Sequence, residues 1–389
     1  MQINRLVAAF WLSLAAALVG YHMALVFSGL VPNLVSRPLH MAFILPFVFM
    51  IGTTSRLMFW SGVVLTLLGV GAALWVAVNH NALADQYGFL EGPGQVAIAI
   101  VLLLVTLEAA RRAIGWPLPL VAGTALLYGL LGQYIPGQFG HSGTPLASFL
   151  GTLTIAEGGI WGQLTGVSVN VVAIFVIFGA VLNAGAAGQG FMNIAAAAAG
   201  HLKGGAAKVS VISSALFGSI SGSASANVAS TGAITLPAMT RLGYPKRLAA
   251  AVEAVASSGG QIMPPLMGAG AFVMVELTGV PYTAIMAAAI LPAVLYFWAV
   301  WVGINAYAQR YDLQGIAAED QPKRRDVVIT SLFFLVPFTV LMIAMFVVGY
   351  TPEYAAALAI LAGAALLLFD TELRVEPHAV ANRLKSAVM

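Results

Sequence analysis

The chain lacks cysteine and has few charged residues. Without a thiol among its 389 residues, it can form neither disulfide bonds nor thiolate metal sites. Asp, Glu, Lys and Arg make up 8% of the residues, whereas an ordinary soluble domain has about 25%. A formal net charge of +3, spread along the chain, gives no indication of nucleic-acid binding. The composition therefore excludes a water-covered globular domain, a disulfide scaffold and a basic nucleic-acid-binding protein.

Apolar residues fill the chain instead. They account for 60% of it and give a mean hydropathy of +0.93, which is too apolar for a disordered chain. The 41 glycines and 18 prolines are compatible with membrane helices, which tolerate both where neighbouring groups satisfy the backbone. The sequence thus predicts an all-α integral membrane protein in contact with the lipid bilayer.

Apolar stretches of membrane-spanning length recur along the chain. A helix needs about 20 mostly apolar residues to span a hydrocarbon core roughly 30 Å thick. We expect about ten crossings, at 6–29, 39–54, 57–78, 94–111, 116–135, 167–190, 248–278, 283–309, 326–348 and 353–370.

Basic residues indicate which loops face the cytoplasm, because Lys and Arg collect there in membrane proteins. The segments 79–93, 136–166, 279–282 and 349–352 contain neither and are expected outside, and Arg37 is the one basic residue that does not fit. Both chain ends are then expected to be cytoplasmic. The predicted cytoplasmic points are Arg5, Arg56, Arg111, Arg112, Lys203, Lys208, Arg241, Lys246, Arg247, Arg310, Lys323, Arg324, Arg325, Arg374, Arg383 and Lys385.

Two of these basic clusters enclose an apolar segment that cannot cross the membrane once. Lys203 and Lys208 precede the segment and the basic run around Lys246 follows it, so a single crossing would place one cluster outside. A re-entrant helical hairpin at 205–240 resolves this conflict. The turn of such a hairpin must be buried in protein or line a cavity.

The hairpin and the helix after it both contain residues that interrupt helices. Residues 218–232 hold three Gly, five Ser, one Thr and one Asn, whose neutral oxygens and flexible backbone suit a hard cation. Within 248–278, Gly259–Gly260 and Pro264–Pro265 predict an unwound centre near 258–264. Two adjacent interrupted elements are typical of a transporter site near the bilayer midplane. Close packing of small residues and a simple proline kink are the alternatives.

Glu253 is an ionisable residue inside the second interrupted element, a position that favours a functional role. Arg247 lies only six residues away, so an ion pair at the cytoplasmic end or a solvated side chain is at least as well supported. No nucleophile–base pair, metal-ligand spacing or phosphate-binding loop stands out along the chain. We therefore expect a protein that is not an enzyme.

Four stretches carry a resemblance to a known family, and they extend the similarity over roughly 116–315. They are AAKV at 206–209, GSISGSASANVASTGAITLPAM at 218–239, RLGY at 241–244 and AVEAVASSGGQIMPPLMGAGAF at 251–272. Together they resemble the fused permease of TRAP (tripartite ATP-independent periplasmic) transporters, in its TAXI-type branch. Residues 1–112 resemble the small four-helix subunit fused ahead of the large one, by helix count and placement.

The resemblance implies an elevator-type, Na⁺-coupled symporter for organic acid uptake in the bacterial inner membrane. A periplasmic solute-binding protein would deliver the anion. The Na⁺ candidates are Ser219, Ser223, Gly259 and Gly260. The full set implied for the ion and substrate site is Ser219, Ser221, Gly222, Ser223, Ser225, Asn227 and Thr231 in the hairpin, with Ser257, Ser258, Gly259, Gly260 and Pro264 in the facing break.

The resemblance also divides the chain. It implies a small-subunit-like domain at 1–112, a connecting helix and external interfacial segment at 113–166, a first large-subunit repeat at 167–315 and an incomplete second half at 316–389. The family has two inverted repeats, and no second Ser/Gly hairpin follows here. We therefore expect the N-terminal portion of a longer permease or one half of a split pair, which needs its other half to transport.

Two alternatives to this function stay open at the level of the sequence. One is a proton-coupled carrier of another family, with Glu253 as the proton relay. The other is a membrane scaffold that packs against partners without transporting anything.

Overall fold

The chain folds into helices that form two compact units. The computed structural model describes residues 5–156, 158–370, 372–375, 380, 382 and 383. One unit is Phe27–Val169, and the other comprises Met1–Val26 with Asn170–Met389, as far as these are described. The described residues contain no β-strand, and several of their helices are long and apolar enough to cross a membrane. The all-α membrane fold is thereby confirmed. Both chain ends and Lys385 lie outside the described residues.

The unit Phe27–Val169 follows the first helix, α1 (Arg5–Ser28). Its core lies where α2, α3, α5 and α7 meet, around the buried side chains of Leu102, Leu150 and Trp161. Its helices are α2 (Asn33–Met50), α3 (Arg56–Val78), α4 (His80–Asp85), α5 (Gly92–Ile114), α6 (Pro117–Leu131), α7 (Leu146–Thr154) and α8 (Gln163–Val167).

Arg37 lies inside this unit and not in a loop. It occupies the second turn of α2, is 9% exposed and donates to the carbonyl oxygen of Trp161. Because this guanidinium is buried and bonded within the protein, Arg37 does not mark a cytoplasmic loop, which explains its misfit to the charge pattern. Helix α2 begins at Asn33, six residues before the predicted start at 39.

The second unit continues from a π-helical turn at Ser168–Val172. Helices α16 and α17 pack together and α10 packs on α16, while α11 packs on α10 and also on α12 and α13. The helices are α9 (Ala173–Ala184), α10 (Ala187–Ala199), α11 (Gly205–Ser221), α12 (Ala224–Arg241), α13 (Lys246–Ser258), α14 (Ala269–Thr278), α15 (Tyr282–Arg310), α16 (Arg324–Phe346) and α17 (Pro352–Leu366).

Among the described residues, fewer uninterrupted helices of membrane-spanning length occur than the ten crossings expected. The predicted crossings at 116–135 and 353–370 form helices of 15 residues each, α6 and α17. At 1.5 Å per residue such a helix reaches about 22 Å, which is less than the apolar thickness of a bilayer. Among the described residues, seven segments are long and apolar enough: Val7–Ser28, Asn33–Met50, Arg56–Val78, Gly92–Ile114, Gln163–Ala184, Tyr282–Arg310 and Arg324–Phe346.

The hairpin predicted at 205–240 is present as α11 and α12. Gly222 ends α11 with a φ of 58°, a left-handed conformation that favours glycine. Ser223 then begins α12, because its Oγ accepts a hydrogen bond from the Ala226 amide at 3.3 Å. The two residues reverse the chain between helices that pack along each other.

The interrupted helix predicted at 248–278 is also confirmed. Helix α13 ends at Ser258, a 3-10 turn occupies Gly259–Ile262, and α14 begins at Ala269. The break therefore extends beyond the predicted 258–264, through a cis peptide bond between Pro264 and Pro265. Both prolines lack an amide hydrogen, which prevents regular helical bonding through this segment.

The RLGY motif closes the base of the hairpin. Tyr244 is buried in a cluster with Ala206, Ala207 and Ala249, and its Oη accepts a hydrogen bond from the Ala207 amide at 3.4 Å. Burial raises the pKa of the Tyr244 hydroxyl above its ordinary value. The motif thus joins the start of α11 to the start of α13.

Candidate functional site

The hairpin tip packs directly on the break in the interrupted helix. A Cβ atom on Gly218 would lie 2.3 Å from the Cα atom of Gly260, a distance that no side chain could occupy. At Gly222, a Cβ atom would lie 1.8 Å from the carbonyl oxygen of Met267. The two interrupted elements therefore meet backbone to backbone, and glycine makes this possible. We call this contact the tip–break contact.

One hydrogen bond joins the same two elements, and a second one beside it joins the two arms of the hairpin. The Leu266 amide donates to the carbonyl oxygen of Ser219 at 3.3 Å. Asn227 is fully buried beside the contact, and its Nδ2 donates to the Ser214 carbonyl oxygen at 2.8 Å. A Cβ atom on Gly260 would lie 2.8 Å from that Nδ2. The tip and the break thus hold each other in one register.

A buried carboxylate connects the hairpin to α13. Glu253 is 1% exposed, and four hydroxyl groups donate to its two oxygens. Ser210 Oγ lies 2.8 Å from Oε2 and Ser257 Oγ lies 3.2 Å from Oε1, while Thr231 and Thr235 make closer contacts. The donors come from α11, α12 and α13. One side chain therefore ties both arms of the hairpin to the first half of the interrupted helix.

The expectation of an ion pair or a solvated side chain at Glu253 is wrong. No ion pair within the described residues involves this carboxylate. Arg247 is exposed at the start of α13, and the buried Lys208 places its Nζ 4.9 Å from the ring centroid of Trp301. Hydroxyl donors take the place of a cation, because a buried carboxylate needs hydrogen bonds to offset its lost hydration.

The structure gathers only some of the residues implied for the site. Ser219, Gly222 and Gly260 form the tip–break contact, and Asn227, Thr231 and Ser257 join the hydroxyl network around Glu253. Gly259 faces away from the hairpin, since a Cβ atom there would lie 2.5 Å from the ring of Tyr296 on α15. Ser221 and Ser223 lie at the tip turn, Pro264 lies within the break, and Ser225 and Ser258 are exposed.

Sequence reasoning did not identify Ser210, Ser214 and Thr235 as part of this network. Ser214 Oγ lies 3.3 Å from Thr231 Oγ1, and Ser210 and Thr235 contact Glu253 directly. Spacing offered a clue, because polar residues four apart share a helix face. Three such pairs face one another here: Ser210 with Ser214, Thr231 with Thr235, and Glu253 with Ser257.

A cavity reaches this network from the side of α10 and α16. Its volume is about 520 Å³, and its lining includes Thr235 together with the carboxylate residues Asp320, Asp326 and Glu372. Thr235 therefore borders the cavity and also donates to Glu253. The cavity therefore lies next to a residue that bonds the buried carboxylate.

Four helix ends meet at the tip–break contact. The carboxyl ends of α11 and α13 lie there, and so do the amino ends of α12 and α14. Carboxyl ends carry partial negative charge and favour a cation, whereas amino ends favour an anion. The arrangement suits a site that holds ions of both signs next to each other.

Comparison with known proteins places the chain in a family. The profile described as "Tripartite ATP-independent periplasmic transporter, DctM component" matches residues 100–388. This match covers most of the chain, including the hairpin and the interrupted helix, and the chain belongs to this family. This is a family of transporter permeases and not of enzymes, and the described residues of the chain include several helices long and apolar enough to cross a membrane.

Individual relatives agree with this membership. The chain is 27% identical over 201 residues to the C4-dicarboxylate TRAP transporter large permease protein DctM of Pseudomonas aeruginosa, covering 51% of this chain and 46% of that protein. It is 29% identical over 188 residues to the isethionate TRAP transporter permease protein DctMQ of Oleidesulfovibrio alaskensis, covering 47% of this chain and 30% of that protein. The chain spans about half the length, or less, of the curated relatives that it matches.

Proposed function

We propose that the chain is the permease component of a TAXI-type TRAP transporter that imports organic acid anions together with Na⁺ across the bacterial inner membrane. A periplasmic solute-binding protein would deliver the anion, and a second permease half would complete the site. The observation that carries the proposal is the meeting of four helix ends at the tip–break contact. It supplies partial charges of both signs at one place, as co-transport of an anion and a cation requires.

The groups at the tip–break contact fit Na⁺ as coupling ion. Hard cations prefer oxygen ligands, and Ser219, Ser223 and the backbone carbonyls around Gly260 supply neutral oxygens. Gly259 would contribute through its backbone carbonyl oxygen, because it has no side chain and the side where a Cβ atom would stand faces α15. When bound, Na⁺ would offset the partial negative charge of the α11 and α13 carboxyl ends. The protein's own part is to hold these oxygens and exclude bulk water.

The packing also supports an elevator mechanism. The tip–break contact and the hydroxyl network around Glu253 join α11, α12 and α13 into one body. In our proposal this body moves as a unit relative to a fixed scaffold, so that the site passes from one side of the membrane to the other. No basic side chain contributes to the described contact, and the amino ends of α12 and α14 would hold the substrate carboxylate.

Uptake by proteoliposomes tests the proposal. The liposomes would contain this chain with its complementing permease half, and the purified binding protein would be added outside with labelled C4-dicarboxylates, 2-oxo acids or sulfonates. We expect uptake of at least one of these anions to rise when external Na⁺ replaces K⁺ and to stop when the Na⁺ gradient is collapsed. Uptake that is indifferent to Na⁺ would contradict the coupling ion.

One observation favours protons as an alternative coupling ion in the same permease. Glu253 is buried without a basic partner in the described structure, and Thr235 connects it to the neighbouring cavity. A Glu253→Gln variant distinguishes the two cases. Under Na⁺ coupling it should retain Na⁺-driven uptake with a mild loss, whereas under proton coupling it should abolish pH-driven uptake.

A non-transporting scaffold makes a different prediction. In that case Ser223→Ala and Asn227→Ala should leave the activity of the reconstituted complex intact. We expect Asn227→Ala to reduce uptake, because its buried Nδ2 joins the two arms of the hairpin and packs against Gly260 of the break.

A further inference from the structure

Helix α15 holds the interrupted helix at two points, one before its break and one within it. Near the middle of α15, the Tyr296 hydroxyl donates to the carbonyl oxygen of Val255 on α13 at 2.7 Å. At the start of α15, the Tyr282 hydroxyl lies 2.9 Å from the Leu266 carbonyl oxygen and contacts that of Pro265. Fourteen residues of helix separate the two tyrosines, or about 21 Å along the axis. The first part of the unwound segment therefore lies between two points that one helix holds.

The ring of Tyr282 has little freedom to move. It is 6% exposed and stacks on Phe272 of α14, with ring centroids 4.7 Å apart and planes 12° from parallel. Phe272 stacks in turn on Phe175 of α9 at 5.5 Å. Three aromatic rings from three helices therefore fix the direction in which the Tyr282 hydroxyl points.

The residue that Tyr282 contacts is the residue that contacts the hairpin tip. Leu266 presents its carbonyl oxygen to Tyr282, and its amide donates to the Ser219 carbonyl oxygen at 3.3 Å. Leu266 is 3% exposed, so water cannot readily replace the phenol. The Tyr282 hydroxyl also contacts the Pro265 carbonyl oxygen, which lies in the same planar peptide unit as the Leu266 amide. A buried carbonyl without its donor moves to find another partner, and the Leu266 amide would shift with it.

We propose that Tyr282 is a positioning residue for the ion and substrate site. It acts through the peptide units of Pro265 and Leu266, and it fixes the distance between the unwound segment and the hairpin tip at Ser219. Its consequence for transport rests on the proposed function, whereas its effect on the break can be measured without transport. Tyr296 braces the helical half of the same element at Val255 and does not contact the tip.

Hydrogen exchange of the full chain in lipid nanodiscs tests the structural part. Tyr282→Phe keeps the aromatic stack and removes only the hydroxyl. We expect the bonded amides of Leu266, Met267 and Gly268 to exchange about three- to tenfold faster, as loss of one hydrogen bond allows. Tyr307→Phe makes the same chemical change at an exposed position of α15 and should leave these amides unchanged. Unchanged exchange in Tyr282→Phe, or a uniform rise over all helices, would overturn the proposal.

Uptake kinetics test the consequence for the site. In the complete transporter we expect Tyr282→Phe to raise the KM for the coupling cation about three- to tenfold and to change the maximal rate much less. Tyr307→Phe should change neither constant. A fall in maximal rate at an unchanged KM would indicate a merely structural role and overturn the positioning role. If wild-type liposomes show no cation-driven uptake, the proposed function fails, and the exchange experiment still decides on Tyr282.

Discussion

Buried polar side chains bring together distant parts of this chain. The Glu253 carboxylate is 1% exposed and is bonded by hydroxyls from residues 4, 18, 22 and 43 positions away. The sequence revealed that an acidic residue lies among apolar ones, but its partners depend on how three helices pack. Arg247, its close neighbour along the chain, suggested an ion pair that does not form. Proximity in sequence was the wrong guide, because helices place residues six apart on different faces.

Removing the Glu253 carboxylate should destabilise the protein strongly. Glu253→Ala removes an acceptor shared by four buried hydroxyls, of which Thr231 and Thr235 can turn to backbone carbonyls of their own helix. We expect the free energy of unfolding to fall by roughly 2–4 kcal/mol. Glu253→Gln retains one acceptor oxygen and should lose less than half as much. The midpoint of thermal unfolding in detergent measures both. Glu276→Ala, at an exposed position of α14, serves as the control and should change little. Equal midpoints for all three variants would show that the network contributes no stability.

Two adjacent arginines differ in what they hold. Both Arg111 and Arg112 bond to Glu108, at 2.6 and 2.9 Å. Only Arg112 also donates to the Phe49 carbonyl oxygen at 3.1 Å and to Ser61 Oγ at 2.9 Å. Its side chain is 6% exposed, compared with 30% for Arg111. The charge pattern of the sequence predicts a cytoplasmic position for both arginines. It does not show that Arg112 joins α2, α3 and α5.

This difference predicts unequal costs for the same substitution. Arg112→Ala removes a buried cation and several of its hydrogen bonds, so we expect a loss of roughly 2–4 kcal/mol in unfolding free energy. Arg111→Ala removes a partly exposed ion pair and should cost less than about 1 kcal/mol. Thermal unfolding in detergent compares the two variants directly. An Arg111→Ala variant as unstable as Arg112→Ala would refute the distinction.

The interrupted elements were the part of the fold that local sequence specified best. The predicted hairpin at 205–240 is observed as Gly205–Arg241, and the predicted break is observed between Ser258 and Ala269. Glycine and proline act through their own backbone geometry, so their effect does not depend on distant contacts. The burial of Arg37 within α2 was missed for the opposite reason. Its guanidinium donates to the carbonyl oxygen of Trp161, 124 residues further along the chain.

Close backbone approach at the tip–break contact gives an element-scale prediction. A methyl group on Gly260 would lie 2.9 Å from the Gly218 Cα atom and 2.8 Å from Asn227 Nδ2, so Gly260→Ala must push the hairpin and the break apart. We expect a loss of about 1–3 kcal/mol in unfolding free energy together with impaired uptake. Gly270→Ala is the matched control, because a methyl group there meets nothing within 4 Å. It should be neutral or slightly stabilising within α14. Thermal unfolding in detergent measures both variants, and equal midpoints for Gly260→Ala and Gly270→Ala would contradict the tip–break contact.

At the scale of the whole molecule, the main prediction concerns sidedness. The hairpin is present, and the proposal requires that both of its ends face the cytoplasm. Because the chain has no cysteine, each introduced cysteine is unique. We expect Lys203→Cys and Lys246→Cys, at exposed positions, to be labelled only from the cytoplasmic side by a membrane-impermeant thiol reagent. Asn81→Cys, at an exposed position of α4 within the segment 79–93 that is expected outside, should be labelled only from the other side. Labelling of positions 203 and 246 from opposite sides would exclude a re-entrant hairpin.

The sequence alone determined that this is a helical membrane protein, where two of its elements are interrupted, and which family its motifs resemble. Composition, hydropathy, glycine and proline act locally or add up along the chain, so they can be evaluated without coordinates. Only the tertiary structure decided which polar groups meet. Helix packing brings Glu253 to the hydroxyls of α11 and α12, turns Gly259 toward α15 and Gly260 toward the hairpin, and places Tyr282 against the break. Such meetings depend on the rotation and register of neighbouring helices, which contacts between residues far apart in the sequence determine.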